Sequence, residues 1–135
     1  MGARTKARKR ALDVLYAADM RGESGLEALE RVTADGEQLT NPYTAVLVRA
    51  VSEHQVRIDE ILVQFSTDWS LSRMPAVDRN VLRIGVWELL WADDVPDTVA
   101  VTEAMGLVRE LSTDESPSFV NGVLGAIQRS KATLV

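Results

Sequence analysis

Five of the first ten residues are cationic (Arg4, Lys6, Arg8, Lys9 and Arg10), and none of the ten is acidic. The rest of the 135-residue chain carries twenty acidic and ten basic residues, so a short +5 arm is joined to a −10 body. An acidic protein gains little from generic attraction to a polyanion, so any anion it binds must be met locally, at the arm. A basic cluster beside an amphipathic helix is the electrostatic footprint of a phosphate-backbone contact. The same cluster would also suit a solvated terminus, and composition leaves both readings open.

Few other routes to chemistry exist. The chain has one histidine, His54, and no cysteine, which excludes disulfides, thiolate chemistry and cysteine-based zinc sites. It has no glycine-rich phosphate loop and no G-x-S-x-G or H-E-x-x-H motif. No two of the twenty carboxylates are singled out by their spacing as an acid–base pair or a magnesium site. Met20 and Met105 read as core filler, and His54 as a packed or surface histidine. The residues therefore point to a protein that is not an enzyme and needs no cofactor or metal.

No stretch approaches the roughly 18 apolar residues of a membrane span. Asp13 and Asp19 interrupt what could pass for a signal peptide, and Lys6 stands where a myristoylation motif wants Ser or Thr. The expected location is the cytoplasm, without membrane association.

The elements that must position the arm are helical throughout. Ala11, Leu12, Leu15, Tyr16, Ala18 and Met20 share a face of a first helix over about residues 5–20, stopped before Gly22. The cations then occupy its first turns, where the helix dipole disfavours them. Arg4 and Arg8, like Lys6 and Arg10, form like-charge pairs one turn apart. Folding does not ask for this arrangement, and an external anion would relieve it.

Ser24 can cap a second helix through Leu26, Leu29 and Val32, ending near Asp35-Gly36. Asn41-Pro42 is a cap followed by a first-turn proline. Apolar positions then run from Val46 to Phe65, as one long helix or as two with a break near residues 57–59, where Asp59 could cap the second. After Trp69 and a linker ending in Met74-Pro75, the most apolar helix spans about residues 76–92 and reads as nearly surrounded. Its Arg79 and Arg83, one turn apart, would ordinarily pair with acids of the body such as Asp78 or Glu88. A helix over about residues 98–111 follows, with Leu111 inward. Ser116-Pro117 then starts a last helix with Phe119, Val120, Val123, Leu124 and Ile127 on one stripe. Gly122 and Gly125 within it suggest close helix approach.

Four ordered blocks now come together. They are Trp69-Ser-Leu with Arg73; Asp78-Arg79-Asn-Val-Leu82-Arg83-Ile-Gly-Val-Trp87-Glu88-Leu89; Asp94-Val-Pro96 with Val99-Ala-Val-Thr-Glu103-Ala104; and Phe119-Val-Asn121-Gly122-Val-Leu124. This closely resembles the NusB family of bacterial transcription antitermination factors, and the arm with Ala11 to Tyr16 matches the start of that family too. The likeness is weakest between residues 22 and 42.

The resemblance implies an all-helical fold of about seven helices in two small bundles, residues 1–56 with the arm and residues 57–135, divided near residues 56–66. It implies binding to boxA RNA in ribosomal RNA leaders together with a small-subunit ribosomal protein, NusE, within an RNA polymerase elongation complex. The family's arginine-rich arm falls on Arg4, Lys6 and Arg8, extended by Lys9 and Arg10. Arg79, Arg83, Phe119 and Asn121 match helix starts that adjoin the arm in that fold and are assigned to the RNA face. Thr5 interrupts the arginine run, and Pro117 removes one N–H donor at the last helix. Phe119 reads either as a core anchor or as a platform on which a base stacks. A homodimer or a monomer–dimer equilibrium is expected when the partner is missing.

Two rivals remain. A NusB-like bundle also forms the RNA-binding region of a ribosomal RNA cytosine methyltransferase, but that enzyme needs a following α/β domain that these 135 residues do not contain. The other rival is a helical interaction module whose arm binds no RNA.

Overall fold

The computed structural model describes residues 2–36 and 41–135, and among these residues all regular structure is helical. The helices are α1 (Ala3–Arg21), α2 (Gly25–Ala34), α3 (Pro42–Phe65), α4 (Ala76–Trp91), α5 (Asp97–Leu111), α6 (Ser116–Arg129) and the single turn α7 (Lys131–Leu134). The chain divides between His54 and Gln55 into two compact units. Each unit is helical in all of its regular structure among the described residues.

In the first unit, α1 starts earlier than the apolar spacing requires and takes in every arm cation. It stops at Gly22, whose φ of 69° is the left-handed cap conformation that glycine adopts without a Cβ penalty. Ser24 then opens α2 with a full capping box: its side chain accepts from the Glu27 N–H while the Glu27 carboxylate accepts from the Ser24 N–H. α2 turns Gly25, Ala28 and Leu29 inward, and Leu26, expected inside, is exposed. The reason is Gly25. A Cβ there would fall on Ser52 Oγ and lie 3.1 Å from Leu15 Cδ2, so α2 approaches its neighbours backbone-first at this position.

α3 is one continuous helix. It contains no glycine and no proline after Pro42, so nothing interrupts its ladder at residues 57–59. Asp59 is not a cap but an ion-pair partner, as described below. The Asn41 side chain does cap its start, accepting from the Tyr43 N–H at 2.9 Å. Val46 and Leu111, expected inside their helices, are exposed.

In the second unit, α4 packs on both α5 and α6, and α5 packs on α6. No residue of α4 is exposed, which is what an apolar circumference predicts for a central helix. The close approach in this bundle is at Gly85, where a Cβ would lie 3.1 Å from both methyl carbons of the buried Leu124. The sequence points to Gly122 and Gly125 instead. A Cβ at Gly122 would meet nothing within 4 Å, and one at Gly125 would meet only the Arg129 guanidinium, at 3.3 Å.

Candidate nucleic-acid interface

The arm is structured. α1 has Gly2 at its N-cap, no side-chain cap and no acid in its first turn, so it forms against its own end electrostatics. Packing supplies what capping does not. Ala7, Ala11 and Leu12 are buried on its inner face, and Thr44 Oγ1 donates to the Ala7 carbonyl at 3.0 Å.

The five cations consequently separate into classes. Arg4 and Lys6 are exposed, and Lys9 and Arg10 are half-buried. Arg8 is only 3% exposed. The guanidinium carbons of Arg4 and Arg8 lie 4.1 and 5.6 Å from the centroid of the Tyr43 ring, within the range at which an aromatic quadrupole attracts a cation. The like-charge pair seen in the sequence is thus offset by an aromatic ring 35 residues beyond Arg8. Nothing local in the sequence marks Tyr43 for this role.

In the second unit the two arginines of α4 are both engaged. Arg83 is 7% exposed. Its Nε and Nη2 meet the two oxygens of Asp59 at 2.9 and 3.0 Å, and its Nη1 donates to Asn80 Oδ1 at 3.1 Å. That is the bidentate geometry that makes arginine–carboxylate pairs strong. Arg79 Nη1 donates to the carbonyls of Leu71 at 3.0 Å and Met74 at 3.4 Å, tying the linker to the start of α4. Pairing with an acid of the body, the ordinary expectation for this couple, is met for Arg83 by Asp59.

The start of α6 is held by hydroxyl groups. Buried Asp78 accepts from Ser112 Oγ at 2.6 Å, Ser112 Oγ lies 3.0 Å from Ser116 Oγ, and Ser116 Oγ lies 2.7 Å from Thr113 Oγ1. The chain of contacts links the first turn of α4 to the α5–α6 connection, and so to the turn that carries Phe119. Asp78 Oδ2 is buried without a hydrogen-bond partner among the described residues.

Phe119 is half-buried, with its ring edge-on to Trp69 at a centroid distance of 4.7 Å and an interplanar angle of 61°. The pair lines a groove of about 790 Å³ together with Phe65, Gly122 and Val123, and Asp68 and Glu115 are also among its lining residues. Trp69, which by type alone reads as core, therefore also forms this wall. The open space over Gly122 is part of the same groove. Asn121 is exposed on α6 and is not a lining residue. His54 is half-buried, and its Nδ1 donates to the Ala50 carbonyl at 2.9 Å. Among the described residues no group of three or more His, Cys, Asp or Glu side chains could hold a metal ion, and no helix is long and apolar enough to cross a membrane.

Comparison with known proteins bears on the whole chain. The model of the NusB family matches residues 5–129. The chain is 69% identical over 134 residues to the transcription antitermination protein NusB of Nocardioides sp., with 99% of each covered. It is 54% identical over 135 residues to the protein of the same name from Arthrobacter sp., covering 100% of this chain and 99% of that one. Among solved structures, T. maritima NusB superposes with a TM-score of 0.84 at 29% identity, covering 98% of this chain and 94% of that one. A chain in the crystal structure of antitermination factors NusB and NusE in complex with dsRNA superposes with a TM-score of 0.80 at 32% identity, covering 94% of this chain and 96% of that one.

Proposed function

The chain belongs to the NusB family of transcription antitermination factors, and from that premise we propose that it binds the boxA sequence of ribosomal RNA leaders together with NusE. The observation that carries the RNA contact is the arm itself. Arg4, Lys6, Lys9 and Arg10 stand on a preformed helix whose first turn contains no acid. Phosphate oxygens would meet these four side chains and relieve the like charges of the first turns. Arg8 and Arg83, buried against Tyr43 and Asp59, hold the framework rather than present their forks to a phosphate.

The second unit supplies base recognition in this reading. Phe119 offers part of an aromatic face beside the groove, and Asn121 offers an exposed amide with both donors and an acceptor. Phosphate contacts position an RNA but do not read it, so selectivity falls to groups of this kind.

The rest of the reading concerns assembly. NusE joins this protein on the RNA, the pair enters an RNA polymerase elongation complex, and the setting is the cytoplasm. Exposed apolar side chains support a protein partner: Tyr16 and Met20 one turn apart on α1, and Val56 and Val63 two turns apart on α3. Without NusE, the same side chains favour a homodimer.

One titration tests the reading: a boxA oligonucleotide against the protein with and without the NusE-type protein, beside a scrambled oligonucleotide of equal length. Tighter, sequence-dependent binding in the presence of the partner is expected. Equal affinity for both oligonucleotides under both conditions would refute it.

A further inference from the structure

The arm poses a problem that its own helix does not solve. Arg4 and Arg8 are like charges one turn apart at the end of a helix where the dipole repels cations, and α1 has no side-chain cap to offset this. Arginine side chains have many rotamers, so without a fixed contact the Arg4 fork would be spread over a wide volume. The structure instead places both guanidinium groups against one ring.

That ring is itself fixed. Tyr43 is 7% exposed and sits in the first turn of α3, where Asn41 Oδ1 accepts from its N–H at 2.9 Å. The next residue, Thr44, is 2% exposed and bonds the Ala7 carbonyl at 3.0 Å, joining the start of α3 to the second turn of α1. Thr44, its neighbour in sequence, therefore holds the aromatic face in register with the arm. Arg8 lies buried beside it, while Arg4 stays exposed with its guanidinium carbon 4.1 Å from the ring centroid.

We propose that Tyr43 is a positioning residue of the RNA contact: its ring fixes the exposed guanidinium of Arg4 in the orientation that meets an RNA phosphate, with Arg8 anchored beneath. The inference rests on the reading of the arm as a phosphate contact. A guanidinium held at 4.1 Å over a ring centroid can still offer edge N–H groups to a phosphate, the contact that arginine makes bidentately. The ordering entropy of the side chain is then spent on folding rather than on binding. The quadrupole of the ring, and not the phenol hydroxyl, is the working part.

The test compares Tyr43→Phe with Tyr43→Leu in the full-length protein, using a boxA RNA oligonucleotide over a range of salt concentrations. Tyr43→Phe keeps the ring and is expected to bind within about two-fold of the parent. Tyr43→Leu keeps the burial but removes the quadrupole; affinity is expected to fall about five-fold or more, the value of a cation–π contact of ordinary strength. The log–log salt slope is expected to fall by about 0.7, one phosphate contact on single-stranded RNA. A packing defect alone would not change that slope. Arg4→Gln is expected to cost as much, and the double variant with Tyr43→Leu no more than either alone.

Parent-like binding by Tyr43→Leu, equal losses in the Phe and Leu variants, or additive losses in the double variant would overturn the proposal. Should Tyr43→Leu not fold, Tyr43→Met tests the same point, because it fills the site with an adaptable apolar side chain and removes the ring; unchanged affinity there would overturn it. Lys6→Gln with Arg10→Gln separates the two levels. If that pair weakens RNA binding while Tyr43→Leu does not, the Tyr43 inference fails alone, and if neither has an effect, the reading of the arm fails with it.

Discussion

Arg83 and Asp59 form a two-point ion pair across α4 and α3, with Nε on Oδ1 at 2.9 Å and Nη2 on Oδ2 at 3.0 Å. The arginine side chain retains 9% of its exposure and the carboxylate 24%, so the pair lies at the edge of the core of the second unit. Asn80 takes the remaining end of the fork. A charged group two turns into the central helix is tolerated because each of its three nitrogens has a partner.

Asp59→Ala is accordingly expected to destabilise the protein by about 2–3 kcal/mol, since it strands a nearly buried guanidinium. Urea denaturation should show a lower midpoint with an unchanged slope. Replacing both partners, Asp59→Leu with Arg83→Met, is expected to recover most of that stability. RNA affinity at temperatures where the single variant remains folded should stay near that of the parent, because Arg83 serves the fold.

Two glycines of the second unit should respond in opposite directions. Gly122→Ala is expected to stabilise by about 1 kcal/mol, the helix-propensity difference, because its Cβ would enter open space. Gly85→Ala is expected to cost more than that gain, because its Cβ would lie 3.1 Å from both methyl carbons of the fully buried Leu124 and force them to shift within a packed core. Thermal melts of the two variants decide the matter.

Neutralising Arg4, Lys6, Lys9 and Arg10 together is expected to remove most affinity for boxA RNA while circular dichroism stays helical. The salt dependence should flatten by about 0.7 in log–log slope for each phosphate that the arm no longer neutralises. Unchanged affinity with an unchanged slope would mean that the arm touches no RNA.

Phe119→Leu is expected to act differently. Overall affinity should fall by about 1–3 kcal/mol, the range for one stacked base, with the salt slope intact and discrimination against a scrambled oligonucleotide reduced. A flatter slope with intact selectivity would remove Phe119 from base recognition.

The local parts of this architecture are legible in the sequence. Gly22, Ser24, Asn41-Pro42 and Ser116-Pro117 each mark a helix end by chemistry confined to a few residues. What is not legible depends on distance along the chain. Asp59 reads as a cap because a cap is the local use of aspartate, whereas its partner Arg83 is 24 residues away. Gly85 carries the tight approach and Gly122 does not, because the difference lies in where Leu124 sits, not in the glycines. Arg8 and Arg4 look equivalent in an arginine-rich arm, and the folded chain buries the first and leaves the second exposed beside Tyr43. Trp69 reads as core from its type, and its edge-on contact with Phe119 is visible in neither residue alone.

The way α1 is seated changes what it means to remove the arm. Ala7 and Arg8 are buried, and the Ala7 carbonyl is the acceptor for Thr44. Deleting the first eight residues would uncover an aromatic ring and leave a buried hydroxyl without its acceptor, so a truncated protein reports on misfolding as much as on missing charge. Charge-neutral substitution leaves that roof in place. Shortening this chain and discharging it are different perturbations, and only the second isolates the electrostatics of the arm.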